Sequence, residues 1–233
     1  MQLATFVRLR PFAFHTTSAA NLPRIADTKV VESTRCLFAK AGYPGDPRLR
    51  SRRLDNLGLN IDSHRVIVRD QRPVAGGAIE FEDGWDLPRF IAHLNSHVFF
   101  WPGTNAGPGR YGRSHFDRYA RDGEALVVLR IPTVALFAAN EPQQPLFSRC
   151  NSGSARMQQG RRVLRGSATL RAADAFDEPA REVKELVFKE RAVLPALTEW
   201  ASSFGGSWSP IGVLVPAAAE PRHPVLPSRE LKK

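Results

Sequence analysis

FHTTSAANLPRIADTKVV, residues 14–31, reads as the end of a strand running into a helix, and this junction organises the chain. Phe6, Val7, Leu9, Phe12 and Phe14 alternate loosely over residues 3–15, which predicts a strand that ends near His15. Ser18 or Asn21 then caps a short helix through Leu22 and Ile25, with Pro23 accepted in its first turn. A second stretch completes the pattern from the other end: REVKELVFKERAVLP, residues 181–195. It places an acidic residue, Glu185, at the start of a compact apolar strand. Alternation puts Val183, Glu185 and Val187 on one face and Glu182, Lys184, Leu186 and Phe188 on the other.

Between these two stretches the elements are short. GYPGDPRLRSRRLDN (42–56) is dense in Gly, Pro and Arg and reads as a mobile loop. RVIVRDQRPV (65–74) has a β-branched centre and leads into a turn at Pro73 and Gly76-Gly77. DLPRFIAHL (86–94) is a helix capped by Asp86 with Pro88 in its first turn. HVFFWPG (97–103) is a strand stopped by Pro102, and EALVVLRIP (124–132) is a strand stopped by Pro132. NSGSARMQQGRRVLRG (151–166) carries no periodic apolar pattern, KELVFK is the last clear strand, and Leu194 to Phe204 looks helical. Residues 1–205 form one domain and 206–233 a Gly/Pro-rich, loosely packed tail. Strands and helices mix without βαβ alternation, so the fold class is α+β.

Composition narrows the partners. Mean hydropathy is −0.29 and no long apolar run occurs, which predicts no membrane span. The start, MQLATFVRLRPFAF, lacks the pattern of a signal peptide, and Cys36 and Cys150 stand alone, so a cytoplasmic protein with two reduced thiols is expected. The net charge is +10, and only six of the 33 basic residues are lysine. Arginine offers a planar fork for phosphates and a flat face for bases, so a polyanion such as nucleic acid is the expected partner. The histidines show no metal-ligand spacing, and GPGRYG (107–112) lacks the strand–turn–helix setting of a dinucleotide fingerprint.

His15 with Asn21 six positions on, the aromatic strand Val98-Phe99-Phe100-Trp101 before Pro102, LVVLRI, FSRCNSGSAR and KELVF follow one another in a distinctive order. Over roughly residues 10–200 this order resembles the DarT-like ADP-ribosyltransferases, enzymes that modify DNA in toxin and phage-defence systems. The resemblance implies an ADP-ribosyltransferase-like fold of two packed, small, twisted β-sheets with peripheral helices. It implies NAD as co-substrate, no metal, and transfer of ADP-ribose to nucleic acid, a DNA base in the first instance. RNA or protein acceptors, and a catalytically silent NAD- or nucleic-acid-binding module, are the alternatives. An antitoxin or a macrodomain hydrolase is the partner implied by family analogy.

By the same resemblance Glu185 is the catalytic glutamate, with Glu182 as the alternative because Lys184 stands where the family has a small residue. Arg69 is the catalytic arginine, with Arg53 and Arg65 left open. His15, Thr16, Asn21, Phe100 and Trp101 are expected to hold NAD: the histidine on a ribose hydroxyl, backbone groups beside Thr16 on the nicotinamide amide, an aromatic stacked nearby. Arg156, Arg161, Arg162 and Arg165 precede the glutamate in an irregular loop and are expected to contact nucleic-acid phosphates. The chemistry suits these residue types, because breaking a glycosidic bond builds positive charge on the sugar that a carboxylate stabilises.

Overall fold

The computed structural model describes residues 1–74, 79–154, 157–158, 161–213 and 224–226, with backbone alone at 157–158 and 161–162. The turn expected at Gly76-Gly77 lies outside the described residues.

The chain opens with a helix, α1 (Leu3–Leu9), where a strand is expected. Leu3, Phe6 and Val7 fall at i, i+3 and i+4 and pack on the main core, with Phe6 fully buried. The strand β1 (Phe12–Ser18) begins only after Pro11 and runs three residues beyond His15. Helix α2 (Leu22–Thr28) starts as expected with Pro23 in its first turn, but neither Ser18 nor Asn21 caps it through the side chain. Then come β2 (Val30–Glu32) and α3 (Thr34–Lys40), which Ser33 caps by accepting from the Cys36 N–H at 3.3 Å.

The Gly/Pro/Arg-rich segment 42–56 is anchored where mobility is expected. Leu49 is buried in a second core with Phe38. Arg53 is buried as well, donating to the carbonyls of Arg69 and Arg48 and to Asn95 Oδ1. A hairpin follows, β3 (Leu57–Ile61) with β4 (His64–Val68). Helix α4 (Leu87–Asn95) is capped by Asp86, whose Oδ1 accepts from Arg89 N–H at 2.8 Å, and it buries Phe90, Ile91 and Leu94.

Strand β5 (His97–Thr104) continues through Pro102. Its ladder with β12 (Glu185–Lys189) ends at Phe100, so the proline sits where β5 has already lost that neighbour. The short β6 (Gly107–Pro108) folds back on β5 and leads into α5 (Arg110–Arg121). Strand β7 (Leu126–Pro132) stops at its proline, and α6 (Thr133–Ala139) follows at once. After β8 (Leu146–Ser148), the segment expected to be irregular folds into a hairpin, β9 (Met157–Gln158) with β10 (Arg161–Arg162). Then come β11 (Arg171–Ala172), β12 and β13 (Arg191–Val193), the last of which pairs with β2.

The helix expected over Leu194–Phe204 is absent. Pro195 opens a turn closed by Thr198, and β14 (Glu199–Ala201) covers the edge of β7. KELVFK is therefore not the last strand. The chain does not leave the domain at residue 206 either. Strand β15 (Ser209–Pro210) pairs with β14, and Ile211 is buried in the main core.

Among the described residues the main sheet is one antiparallel path, β11–β8–β12–β5–β1–β7–β14–β15, with β6 on β5. The architecture is α+β. Where the resemblance implies two packed sheets, the described strands follow one path that is nearly severed in the middle. Strands β1 and β5 share three rungs, Phe12–Phe14 with Trp101–Gly103. Beyond them β1 stays with β7 and β5 stays with β12. Phe6, Phe100, Phe147, Leu186 and Phe188 fill one face of the sheet, each contributing about 1.5–3 kcal/mol by burial.

Candidate active site

Where β1 and β5 part, the sheet leaves a cavity of about 280 Å³. It lies at the small end of ligand clefts, which run from roughly 300 Å³ upward. His15, Thr16, Phe99, Trp101, Arg69 and Glu185 line it, brought from both ends of the chain and its middle.

His15 spans the opening. Its Nδ1 lies 2.9 Å from the Phe99 carbonyl oxygen. Burial first, and the nearby Arg69 charge, push its pKa down to about 4, against the pull of that hydrogen bond. The ring is therefore neutral. Because a carbonyl can only accept, the proton sits on Nδ1 and Nε2 is an acceptor.

Glu185 is the first residue of β12, on the same face as Phe99 and opposite the Leu186–Phe188 core face. It is 3% exposed, and its Oε2 accepts from the Ser152 N–H at 3.1 Å. Burial raises its pKa to about 7, although the Ser152 hydrogen bonds and the Arg165 charge pull the other way. Glu182 does not reach the cavity. It sits on the turn before β12, half-exposed, paired with Arg181 and Lys184.

Arg69 follows β4 and lies half-buried over the Tyr119 ring, 4.1 Å from its centroid. Its Nη2 donates to the Thr16 carbonyl at 3.1 Å and to His115 Nε2 at 2.6 Å. Burial lowers the pKa of the guanidinium and holds His115 well below its usual range. Nη1 has no partner, and no carboxylate pairs with Arg69 among the described residues. Arg53 lines the same cavity, whereas Arg65 packs beside Gly58 outside it.

Four expectations are corrected here. Asn21 lines the cavity, but its amide is engaged by Thr17 Oγ1 and by both backbone groups of Ile67, tying β1 to β4. Phe100 is fully buried in the main core, edge-on to Phe188. Strand alternation turns Phe99 and Trp101 into the cavity instead. The Thr16 carbonyl accepts from Arg69, and the Thr16 hydroxyl is buried without a partner on a residue that lines the cavity.

The fourth correction is Arg165. It is 1% exposed, and its guanidinium is engaged by the carbonyls of Ser152, Ser154 and Val163, out of reach of a polyanion. Arg161 and Arg162 form β10, described as backbone only, and Arg156 lies outside the described residues.

Sequence reasoning missed Gln71, Ser152, His115 and Tyr119. Gln71 Oε1 is a further buried acceptor without a partner in the cavity wall. His115 and Tyr119 stand at i and i+4 on α5 behind Gly112, a helical spacing legible in RYGRSHFDRY. Gly112 lets α5 lie against β5: a Cβ there would fall 2.8 Å from Trp101 Cβ. No group of metal ligands occurs among the described residues, and none of their helices is long and apolar enough to cross a membrane.

Fold and site thus define an α+β protein with a cleft where the strands of its main sheet part. The chain belongs to DUF7002, a family of unknown function, whose pattern it matches over residues 11–197. No curated protein and no solved structure matches it. His15, Thr16, Arg69 and Glu185 all fall within the matched span.

Proposed function

We propose that this protein is an NAD-dependent ADP-ribosyltransferase of ADP-ribosyltransferase-like fold, with a nucleic acid, in the first instance a DNA base, as acceptor. One observation carries the reading: a neutral histidine and a buried carboxylate, from opposite ends of the chain, share the cavity at which the sheet parts. Thr16 Oγ1, Arg69 Nη1 and Gln71 Oε1, polar atoms buried there without partners, supply the donors and acceptors a dinucleotide needs.

NAD supplies the ADP-ribosyl group, and cleavage of its ribose–nicotinamide bond develops positive charge on the sugar. Glu185 meets that charge. Its raised pKa comes from desolvation in the buried wall, and an approaching cation draws the carboxyl into its ionised form. His15 Nε2 accepts from a ribose hydroxyl. Arg69, whose buried Nη1 has no partner and which no carboxylate pairs among the described residues, is balanced by the negative charge of the pyrophosphate. As the C1–N bond breaks, its electron pair leaves with nicotinamide, and an acceptor atom bonds to C1 and gives up its proton.

The acceptor reading rests on charge. Beyond the net +10, Arg110, Arg113, Arg118 and Arg121 are exposed on α5 and unpaired by carboxylates among the described residues. The inner side of this helix supplies His115 and Tyr119 to the cavity. The test is incubation with NAD labelled on the adenylate and separate DNA, RNA and protein pools. Label on DNA supports the proposal, label on RNA or protein alone moves the acceptor, and binding without transfer or cleavage removes the catalytic reading.

A further inference from the structure

Arg165 is the bulkiest fully buried side chain among the described residues, and it carries a charge that no carboxylate there pairs. Its position explains what that charge is for. The main chain of Arg165 is sewn to a segment outside the loop: its N–H donates to the Glu80 carbonyl at 2.8 Å, and its carbonyl accepts from Glu82 N–H at 3.0 Å. From that anchor the guanidinium reaches both limbs at the base of the β9–β10 hairpin. Nη2 donates to the Ser154 carbonyl at 2.8 Å and Nε to the Ser152 carbonyl at 3.4 Å on the entering limb. Nη1 donates to the Val163 carbonyl at 2.8 Å on the leaving limb. The N–H of Ser152 is the one that faces Glu185 Oε2.

We propose that Arg165 is a positioning residue for Glu185: its forked side chain clasps the base of the hairpin and fixes Ser152 against the carboxylate. This rests on the reading of Glu185 as the group that acts on NAD. The clasp has two separable parts. The fork sets where the Ser152 N–H points, which only a planar group with several donors does toward four carbonyls at once, those of Ser152, Ser154, Val163 and Leu164. The charge favours the ionised form of Glu185, since both side chains are buried and little solvent screens them. Both matter because the wall already disfavours the anion.

The test uses the full chain with glutamate labelled at the side-chain carboxyl carbon, comparing wild type, Arg165→Lys and Arg165→Gln. The Glu185 signal is assigned by its loss in Glu185→Gln. In Arg165→Gln the Glu185 midpoint is expected to rise by about half a pH unit or more, while Arg165→Lys, which keeps the charge, titrates like wild type. In NAD cleavage at neutral pH, Arg165→Gln should lose about tenfold or more in kcat with KM for NAD little changed, and recover part of the loss at higher pH. Arg165→Lys should show a smaller kcat loss that pH does not repair, together with faster hydrogen exchange at the Ser152 amide.

The remaining charged and titratable groups of the cavity are the same in all three proteins and cancel in the comparison. They are Arg53, Arg69 and Asp70 around β4, His115 and Tyr119 on α5, His15 and His97 on the parting strands, and the Arg24–Glu32 pair. A folded Arg165→Gln protein in which Glu185 titrates as in wild type overturns the proposal. If Arg165→Gln does not fold, Arg165→Lys decides: wild-type kcat with wild-type Ser152 protection overturns it. The carboxyl titration needs no NAD turnover, so a protein with no activity toward NAD refutes the proposed function while the titration still reports on the clasp.

Discussion

The imidazole of His15 donates its Nδ1 proton to the Phe99 carbonyl oxygen at 2.9 Å, across the line where β1 and β5 separate. This bond fixes the ring on the cavity wall and leaves Nε2 as an acceptor. His15→Ala is expected to raise the KM for NAD about 5- to 150-fold, the equivalent of a missing pocket hydrogen bond worth about 1–3 kcal/mol, with kcat less affected. Calorimetry of NAD binding to the folded variant checks this. Wild-type affinity would place NAD elsewhere.

Glu185→Gln should keep the fold and most of the NAD affinity and lose about 10²–10³ in turnover, since in the proposed mechanism the carboxylate acts on charge that develops in the transition state. Glu182→Gln, which alters a surface ion pair, should behave as wild type. Turnover assays on both variants test the choice of glutamate, and the reverse result would move the catalytic role to Glu182.

The raised pKa of Glu185 has two consequences with opposite signs. For catalysis, kcat/KM toward NAD should climb with pH through about 7 as the carboxyl ionises. For stability, the folded chain binds a proton that the unfolded chain has already released, so stability falls as pH rises from the ordinary 4.5 to about 7. The full cost, about 3 kcal/mol, is present above that range and absent below it. Glu185→Gln should therefore melt at a higher temperature relative to wild type at pH 8 than at pH 4.5. An equal difference at the two pH values would contradict the buried, titrating carboxyl.

Gly112→Ala tests the packing that brings α5 to the site. The new methyl would meet Pro108 Cβ at 2.7 Å and Trp101 Cβ at 2.8 Å, so the helix must move outward and take His115 and Tyr119 with it. A loss of about 1–3 kcal/mol in denaturant unfolding is expected, with weakened NAD binding. A variant of wild-type stability would mean that the helix has room to spare.

The acceptor surface is tested by charge. Replacing Arg110, Arg118 and Arg121 with Gln should weaken nucleic-acid binding and reduce the slope of log affinity against log salt by about 0.7–0.9 for each phosphate that is no longer neutralised. Hydrolysis of NAD to free ADP-ribose should persist, since none of these side chains lines the cavity. Arg161 and Arg162, replaced as a pair, test the hairpin in the same assay, with Arg165 left intact because it is buried. An unchanged slope in both sets would mark these arginines as solvated surface.

Much of the chain was readable from local pattern. The β-branched runs at Val66–Val68 and Leu126–Ile131, the Asp86 cap with Pro88 behind it, and the Glu185 start of β12 all depend on neighbours within a few residues. The α+β class followed from the same local signals. Where they were ambiguous they failed: Leu3, Phe6 and Val7 fit a helix, but the nearby phenylalanines made the stretch look alternating. Leu194–Phe204 was composed like a helix, but the open edge of β7 and the turn at Pro195 drew it into the sheet.

The amino-acid sequence by itself determined which residue types stand where the proposed chemistry would use them, a histidine on the first strand and a glutamate opening a late one, because residue type and strand period are local properties. Only the tertiary structure decided that they share one cavity, since that depends on three rungs joining β1 to β5 and on where the two strands part. The same long-range pairing turned Phe99 inward and Phe100 into the core, spent Asn21 on Ile67, and buried Arg165 beneath a hairpin that composition alone made look like a phosphate-binding loop. A side chain's chemistry is set by its type, but its availability is set by what the rest of the chain has already bonded to it.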